Sequence, residues 1–359
     1  MKKLVYTGGP CAGKTTGLAY TQEKLLNRGF HPLIVPEAPT LLMLGNAIPS
    51  VYPERTFQHA VVKTMSDLED TFERIAQSRP ELNPVLICDR GIQDAEPYMS
   101  DGLYEKILAE LGLGTPTEVR DRRYDGVYHL CSAAVGAEEF YTTANNIVRR
   151  ETVEEARKRD AATLSAWTGH PHLRVIDNST DFAGKLRRLD QHLCRALGIP
   201  VPLEIENKYV CRPVCFSDIS VPCKRIDIEQ AYLFSAEGKG IRVRKRGQYG
   251  SYVYYRTEKT ELRPGVRIET EDFITVQEYA WSLKFLEPGR RIIQKERWCF
   301  VWESQYFELD LIPRNHDVLY LLEIELTEEN DEVKLPPFIS VVKEVTSDPF
   351  YSNYNLAAA

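Results

Sequence analysis

Residues Gly8 to Thr15 read GGPCAGKT, directly after the apolar run LVYT and directly before TGLAYTQEKLL, a stretch with helical spacing. A glycine-rich turn held between a strand and a helix constrains this chain more than any other feature. The strand has to end at a sheet edge and the helix has to start there. The glycines then let the backbone curl so that several N–H groups converge on an anion. The pattern GxxxxGK[ST] adds Lys14, which reaches terminal phosphates, and the Thr15 hydroxyl, which can ligate Mg²⁺. Gly8, Gly13, Lys14, Thr15 and Thr16 are therefore the candidate contacts to a nucleotide.

Around this turn, short apolar runs (PLIVPE, PVLICDR, GVYHLC, LRVIDN) alternate with longer helical patterns up to about residue 198. That rhythm predicts right-handed βαβ units and a parallel sheet covered by helices. After GIPVP at 198 to 202 it gives way to period-two strands such as LEIENKYV, GIRVRKRG, SYVYYRTEKT and YFELDLI, so an antiparallel sheet or barrel is expected. A length of 359 residues also favours two domains. The boundary is placed near Gly198, giving domains 1–198 and 199–359.

Within the first half, Asp89 closes the strand PVLICDR. It can hold magnesium through water or cap the next helix. Glu37 ends LIVPE in the same way and is a candidate base for a substrate hydroxyl, with an ordinary loop glutamate as the alternative. Arg149 and Arg150 could close over phosphates or simply be solvated. Asn178, in VIDNST, suits a base edge or a helix cap. The segments GGPCAGKTT, VPEAPT, DRG, VRRE and HPHLRVIDNST resemble the AAA-type P-loop domain of nicotinamide riboside kinases and of the TRPL translocation defect protein family.

In the second half, alternation puts Glu204, Glu206 and Lys208 on one strand face, and likewise groups Arg242 with Arg244 and Arg246, Lys295 with Arg297, Glu308 with Asp310, and Glu323 with Glu325. A single such strand reads as a solvated face. Whole strands sorted by sign read instead as a polar lining, in which bases hold phosphate and carboxylates hold Mg²⁺ or Mn²⁺.

EIENK matches the ExExK signature of the CYTH, or triphosphate tunnel metalloenzyme, superfamily, and IRVRKR, TEKT, IQKER, FELDL and EIEL follow in that family's order. The resemblance implies an eight-stranded antiparallel tunnel. Glu204, Glu206, Asp310, Glu323 and Glu325 would then lie on the metal side, with Lys208, Arg242, Arg244, Lys259, Lys295 and Arg297 on phosphate. The expected fold class is thus an α/β P-loop domain followed by a CYTH-like antiparallel β-tunnel. The resulting reading is an enzyme: a metal-dependent phosphotransferase or NTPase using ATP or GTP, joined to a triphosphate-cleaving tunnel. Its catalytic candidates are Lys14, Glu37, Asp89, Arg149, Arg150, Glu204 and Glu206. The rival is a nucleotide-regulated binding or trafficking protein whose tunnel captures phosphate-bearing ligands such as phospholipid headgroups.

A net charge of −7 argues against a general nucleic-acid binder, while leaving RNA 5′-triphosphate ends open as tunnel ligands. The absence of a long apolar run points to a cytoplasmic protein without a membrane span. Cys211, Cys215 and Cys223 lack paired metal-ligand spacing, and scattered reduced thiols are expected among the eight cysteines. The closing Ala357 to Ala359 is expected to carry no structural role.

Overall fold

The computed structural model describes residues 1–140, 152–199, 206–235, 240–263, 266–314, 317–326 and 331–358, with backbone alone at 140, 259–263 and 266–270. It falls into two compact units, Met1–Leu193 and Cys194–Ala359.

The first unit is built on five parallel strands, β1 (Lys2–Thr7), β2 (His31–Val35), β3 (Pro84–Asp89), β4 (Gly126–Leu130) and β5 (Leu173–Ile176), in the order β2-β3-β1-β4-β5. Strands β1, β3 and β4 are almost continuously buried, as expected where helices cover both faces of a sheet. Helices α1 (Lys14–Asn27), α2 (Ala38–Leu44), α3 (Glu54–Gln77), α4 (Leu103–Glu110), α5 (Pro116–Arg122), α6 (Val153–Trp167) and α7 (Phe182–Ala196) make the connections. From β1 the chain passes over β3 to reach β2, so β1 and β3 flank a topological switch point. A crevice for ligands forms at the carboxyl ends of the strands there. Gly8 leaves β1 at that point with φ 135°, and a Cβ on it would lie 2.1 Å from the Leu130 carbonyl oxygen. Helix α6 starts on a capping box in which Thr152 and Glu155 satisfy each other's backbone N–H.

The second unit is a nine-stranded antiparallel sheet: β6 (Glu206–Cys211), β7 (Cys223–Leu233), β8 (Gly240–Gln248), β9 (Ser251–Arg263), β10 (Val266–Ile274), β11 (Ile293–Trp302), β12 (Gln305–Pro313), β13 (Val318–Glu325) and β14 (Val341–Glu344). The order is β10-β9-β8-β7-β11-β12-β13-β6-β14. The ninth strand, beyond the expected eight, is short β14, which pairs with β6 through an irregular register. Tight turns set the registers: Glu303 and Ser304, both at positive φ, join β11 to β12.

One sheet face carries an apolar cluster that includes Tyr209, Phe300, Phe307, Leu309 and Leu322. Ile293, Ile312 and Leu319 gather with Leu356 and Ala357 from the end of the short helix Asn353–Leu356. Ala357 is fully buried and its carbonyl accepts the Arg291 N–H at 2.7 Å, which corrects the expectation that the closing alanines have no role.

Candidate phosphate sites

The turn after β1 closes on its own lysine. Lys14 Nζ donates to the carbonyls of Gly8 at 3.0 Å and Gly9 at 3.3 Å. Burial of this ammonium and the nearby Arg90 charge lower its pKa to about 8, against the opposing pull of Glu37 and Asp89. Gly13 caps α1 at φ 83°, and Thr15 and Thr16 are exposed on the first turn. An anion over the loop would meet both a helix N-terminus and a lysine with modest proton affinity.

Asp89 and Glu37 stand at adjacent strand ends but differ chemically. Burial raises the Asp89 pKa, and its Oδ1 is buried without a hydrogen-bond partner. Glu37 is spoken for. Its Oε1 accepts from Arg90 Nε at 2.5 Å and its Oε2 from Thr40 Oγ1 at 2.6 Å. Burial pushes its pKa up, but Arg90, Lys14 and these hydrogen bonds outweigh it and hold the carboxyl at about 2. A carboxylate so committed is a poor proton acceptor, so the expected role of Glu37 as a base is corrected in favour of an anchor for Arg90.

Sequence reasoning missed Arg90 itself. It takes φ 72°, unusual for a residue with a side chain, which turns the guanidinium back between Glu37 and Asp94. Asp94 in turn accepts from Thr7 Oγ1 and from the Gly91 N–H at 2.8 Å. A second missed pair lies beneath the loop. Asp160 Oδ1, from α6, accepts the N–H of Gly9 at 2.7 Å and of Ser132 at 3.1 Å, with His129 Nε2 3.3 Å away. Cys131 completes the only group of three potential ligand side chains among the described residues. Cys211, Cys215 and Cys223 form no such group there, and no two of the described cysteines are joined in a disulfide. Asn178 is not presented to a base. Its Nδ2 donates to the Ser132 and Val135 carbonyls at 2.8 Å and its Oδ1 accepts from Lys185 Nζ at 2.7 Å, so it braces the loops after β4 and β5.

In the second unit the register puts Lys208 opposite Glu323, Glu323 opposite Glu308, Arg297 opposite Asp310, and Gln230 opposite Arg244. These side chains share the face opposite the apolar cluster, yet water hardly reaches them. Lys208 is 8% exposed, Lys295 5%, Arg297 7%, Glu323 7%, Arg246 1% and Asp310 0%. A bare, solvated sheet face cannot bury six charges in this way, and the closing segment lies on this face, where Asn353 reaches Lys295 and Leu356 packs with Ile293 and Ile312. They are paired: Arg297 reaches Asp310 at 2.6 Å, Glu323 at 2.8 Å and also Glu308, while Lys295 bonds Asp310 and, at 3.2 Å, Asn353 Oδ1. Lys208 Nζ lies 2.9 Å from Glu206 and 3.2 Å from Glu323.

Asp310 does not suit the metal role expected of it. Burial alone would raise its pKa, but Arg297 and Lys295 engage both oxygens and hold it at about 2. It positions the two bases. Glu206 and Glu325, which are less enclosed, sit directly across from each other on β6 and β13. Like charges so placed repel unless a cation lies between them. Glu323 Oε1 is buried without a hydrogen-bond partner, although Lys208 lies within ion-pair range. The carboxylates that fit a divalent ion are therefore Glu206, Glu325 and Glu323, and in the first unit Asp89 with Thr15. On the basic side, Arg242 and Arg244 line the same face. Arg149, Arg150, Glu204 and the Lys259 side chain lie outside the described residues.

A crevice built on a GxxxxGKT turn and a buried, sign-sorted sheet face are the two candidate phosphate sites of this chain. The sequence matches the family described as AAA domain over residues 3–185. It is 33% identical over 153 residues to an inorganic triphosphatase of Acetivibrio thermocellus, covering 43% of this chain and 92% of that protein. The chain therefore belongs both to the AAA domain family and to the family of that triphosphatase. Similar solved structures include the inorganic triphosphatase NE1496, at 27% identity, 44% of this chain, 95% of that one and TM-score 0.33. Another is the PH1012 protein from Pyrococcus horikoshii OT3, at 21% identity, 35% and 81% coverage and TM-score 0.26. Among the described residues no helix is long and apolar enough to cross a membrane.

Proposed function

We propose that the second unit binds and hydrolyses triphosphate compounds inside a tunnel formed by its curled sheet, and that the first unit is an NTP-binding phosphotransferase or NTPase. The observation that carries this is the burial of Lys208, Lys295, Arg297, Asp310 and Glu323 on one sheet face. A protein has reason to enclose so many charges where a multiply charged ligand exchanges with them. Lys208, Arg242, Arg244, Lys259, Lys295 and Arg297 would hold phosphate oxygens, and Glu204, Glu206, Glu323 and Glu325 would hold Mg²⁺ or Mn²⁺. When bound, such an ion polarises a phosphoryl oxygen and lowers the pKa of a water. In the first unit Lys14 and the loop N–H groups would cradle the phosphates of ATP or GTP, with Thr15 and Asp89 holding Mg²⁺ and Arg149 and Arg150 closing over them.

Glu37 favours a second reading. With that carboxylate bound to Arg90, Glu37 is not poised to take a proton from an acceptor hydroxyl, which leaves Asp89 as the one uncommitted carboxylate described at these strand ends. This suits a nucleotide-controlled binding or trafficking protein, as the resemblance to the TRPL translocation defect family suggests, with phospholipid headgroups as ligands of the second unit. A cytoplasmic location fits both readings.

The deciding experiment is phosphate release from ATP, GTP and tripolyphosphate with Mg²⁺ or Mn²⁺, for wild type, Lys14→Ala and the Glu204→Gln/Glu206→Gln double variant. Tripolyphosphate cleavage lost only in the double variant supports the enzyme. Nucleotide binding with no turnover on any substrate sinks it and leaves the binding protein.

A further inference from the structure

The basic wall of the second unit already holds an anion of its own. Glu271, on β10, accepts from Arg244 Nη2 at 2.8 and 3.1 Å and from Thr257 Oγ1 at 2.8 Å, and Arg242 Nη2 stands 3.8 Å away. Register places Glu271 opposite Thr257, and Thr257 opposite Arg242, so donors from two neighbouring strands, β8 and β9, are aimed at a carboxylate on the third. Arg242, Arg244 and Glu271 are all largely enclosed, with 17%, 13% and 15% of their side chains exposed. Guanidinium and hydroxyl donors converging on two oxygens form the arrangement that recognises a phosphoryl group.

We propose that Glu271 is a resident stand-in for a substrate phosphate: it occupies the Arg242–Arg244–Thr257 subsite and is displaced when a triphosphate enters. This rests on the reading of the second unit as a triphosphate site. The sign of its effect follows from charge. If the carboxylate stays, it repels the incoming anion at short range; if it leaves, its pairing with Arg244 must be broken first. Either way Glu271 weakens ligand binding. Arg244 keeps its orientation without it, because the guanidinium also lies over the Tyr255 ring, 5.2 Å from the centroid, on a paired strand. The benefit of such a residue is release, since the same carboxylate returns as the product departs.

The test is calorimetric titration of tripolyphosphate, without divalent metal, into the full chain carrying Lys14→Ala to silence the first unit. Adding Glu271→Gln, which keeps shape and removes charge, should tighten binding about tenfold. Glu271→Asp, which keeps charge but draws the carboxylate back from Arg244, should fall between the two and serves if the glutamine variant does not fold. Equal or weaker binding by both variants, with the parent binding normally, overturns this inference alone. If neither the parent nor the variants take up tripolyphosphate, either without divalent metal or with Mg²⁺ added, the triphosphate reading of the unit falls and takes the inference with it.

Discussion

Asp160 holds the Gly9 N–H at 2.7 Å through the same oxygen that faces the His129 imidazole at 3.3 Å. The phosphate-binding turn is thus tied to a buried ion pair under the sheet edge, and a Cβ at Gly9 would come within 2.8 Å of Asp160. Burial would lower the His129 pKa, but Asp160 overrides it and raises it to about 10. A raised histidine pKa contributes stability that is complete below about pH 6.5 and fades as pH climbs through about 10. Asp160→Asn should therefore weaken nucleotide binding about tenfold and cost about 3 kcal/mol of stability at pH 6, with the cost shrinking by pH 10. Melting curves across that range check it; a cost independent of pH would show that His129 carries no charge there.

Lys14, with its pKa drawn down to about 8, is partly neutral in mildly alkaline solution. A bound triphosphate favours the charged form, so binding takes up a proton once the pH exceeds the free value. Nucleotide affinity should be flat up to about pH 8 and then decline by as much as tenfold per pH unit. Titrations between pH 7 and 9.5 measure this, and affinity that is level to pH 9.5 would contradict it.

Glu37, held at about 2 chiefly by Arg90 against its own burial, stabilises the first unit above the ordinary carboxylate pKa and ceases to do so as pH falls through about 2. Arg90→Gln should lower the melting temperature at pH 6 by an amount worth up to about 3 kcal/mol, with the difference vanishing near pH 2. Asp89→Asn, by contrast, should leave stability nearly unchanged and remove turnover. The reverse pattern would return the catalytic role to Glu37.

Asp310 and Glu206 are both carboxylates on the charged face, with opposite expected consequences. Asp310→Asn takes the buried carboxylate partner from Lys295 and leaves Arg297 to Glu308 and Glu323 alone, and should cost about 3–5 kcal/mol. Glu206→Gln, at a more open position, should cost less than about 1 kcal/mol while depressing triphosphate hydrolysis. Comparing denaturation midpoints with phosphate release separates the two, and an equally stable Asp310→Asn would refute the positioning role.

The parallel and antiparallel halves were legible because period and glycine placement are local signals, and so was the sorting of charges on β6, β8, β11, β12 and β13. Partnership was not. Whether Asp310 faces a metal or two bases depends on which strand lies beside β12, and whether Glu37 is a base or an anchor depends on the positive φ of Arg90. The Asp160 tether was invisible for the same reason: α6 follows the Gly8–Lys14 turn far along the chain, and nothing near VEEARKRDAATL marks its aspartate as a loop partner. Asn178 had the composition of a base reader, but a neighbouring lysine and two carbonyls claim its amide.

The mutual pairing of Arg297 with Asp310, Glu308 and Glu323 bears on how a ligand finds this face. Charges neutralised within a few ångströms project little field beyond a Debye length, and the chain as a whole is negative. Arrival of an anion should therefore owe little to long-range attraction, and association rates should respond only weakly to ionic strength. Discrimination then falls at the moment of partner exchange inside the sheet, where only a ligand with several oxygens at the right spacing can replace what Arg297 gives up.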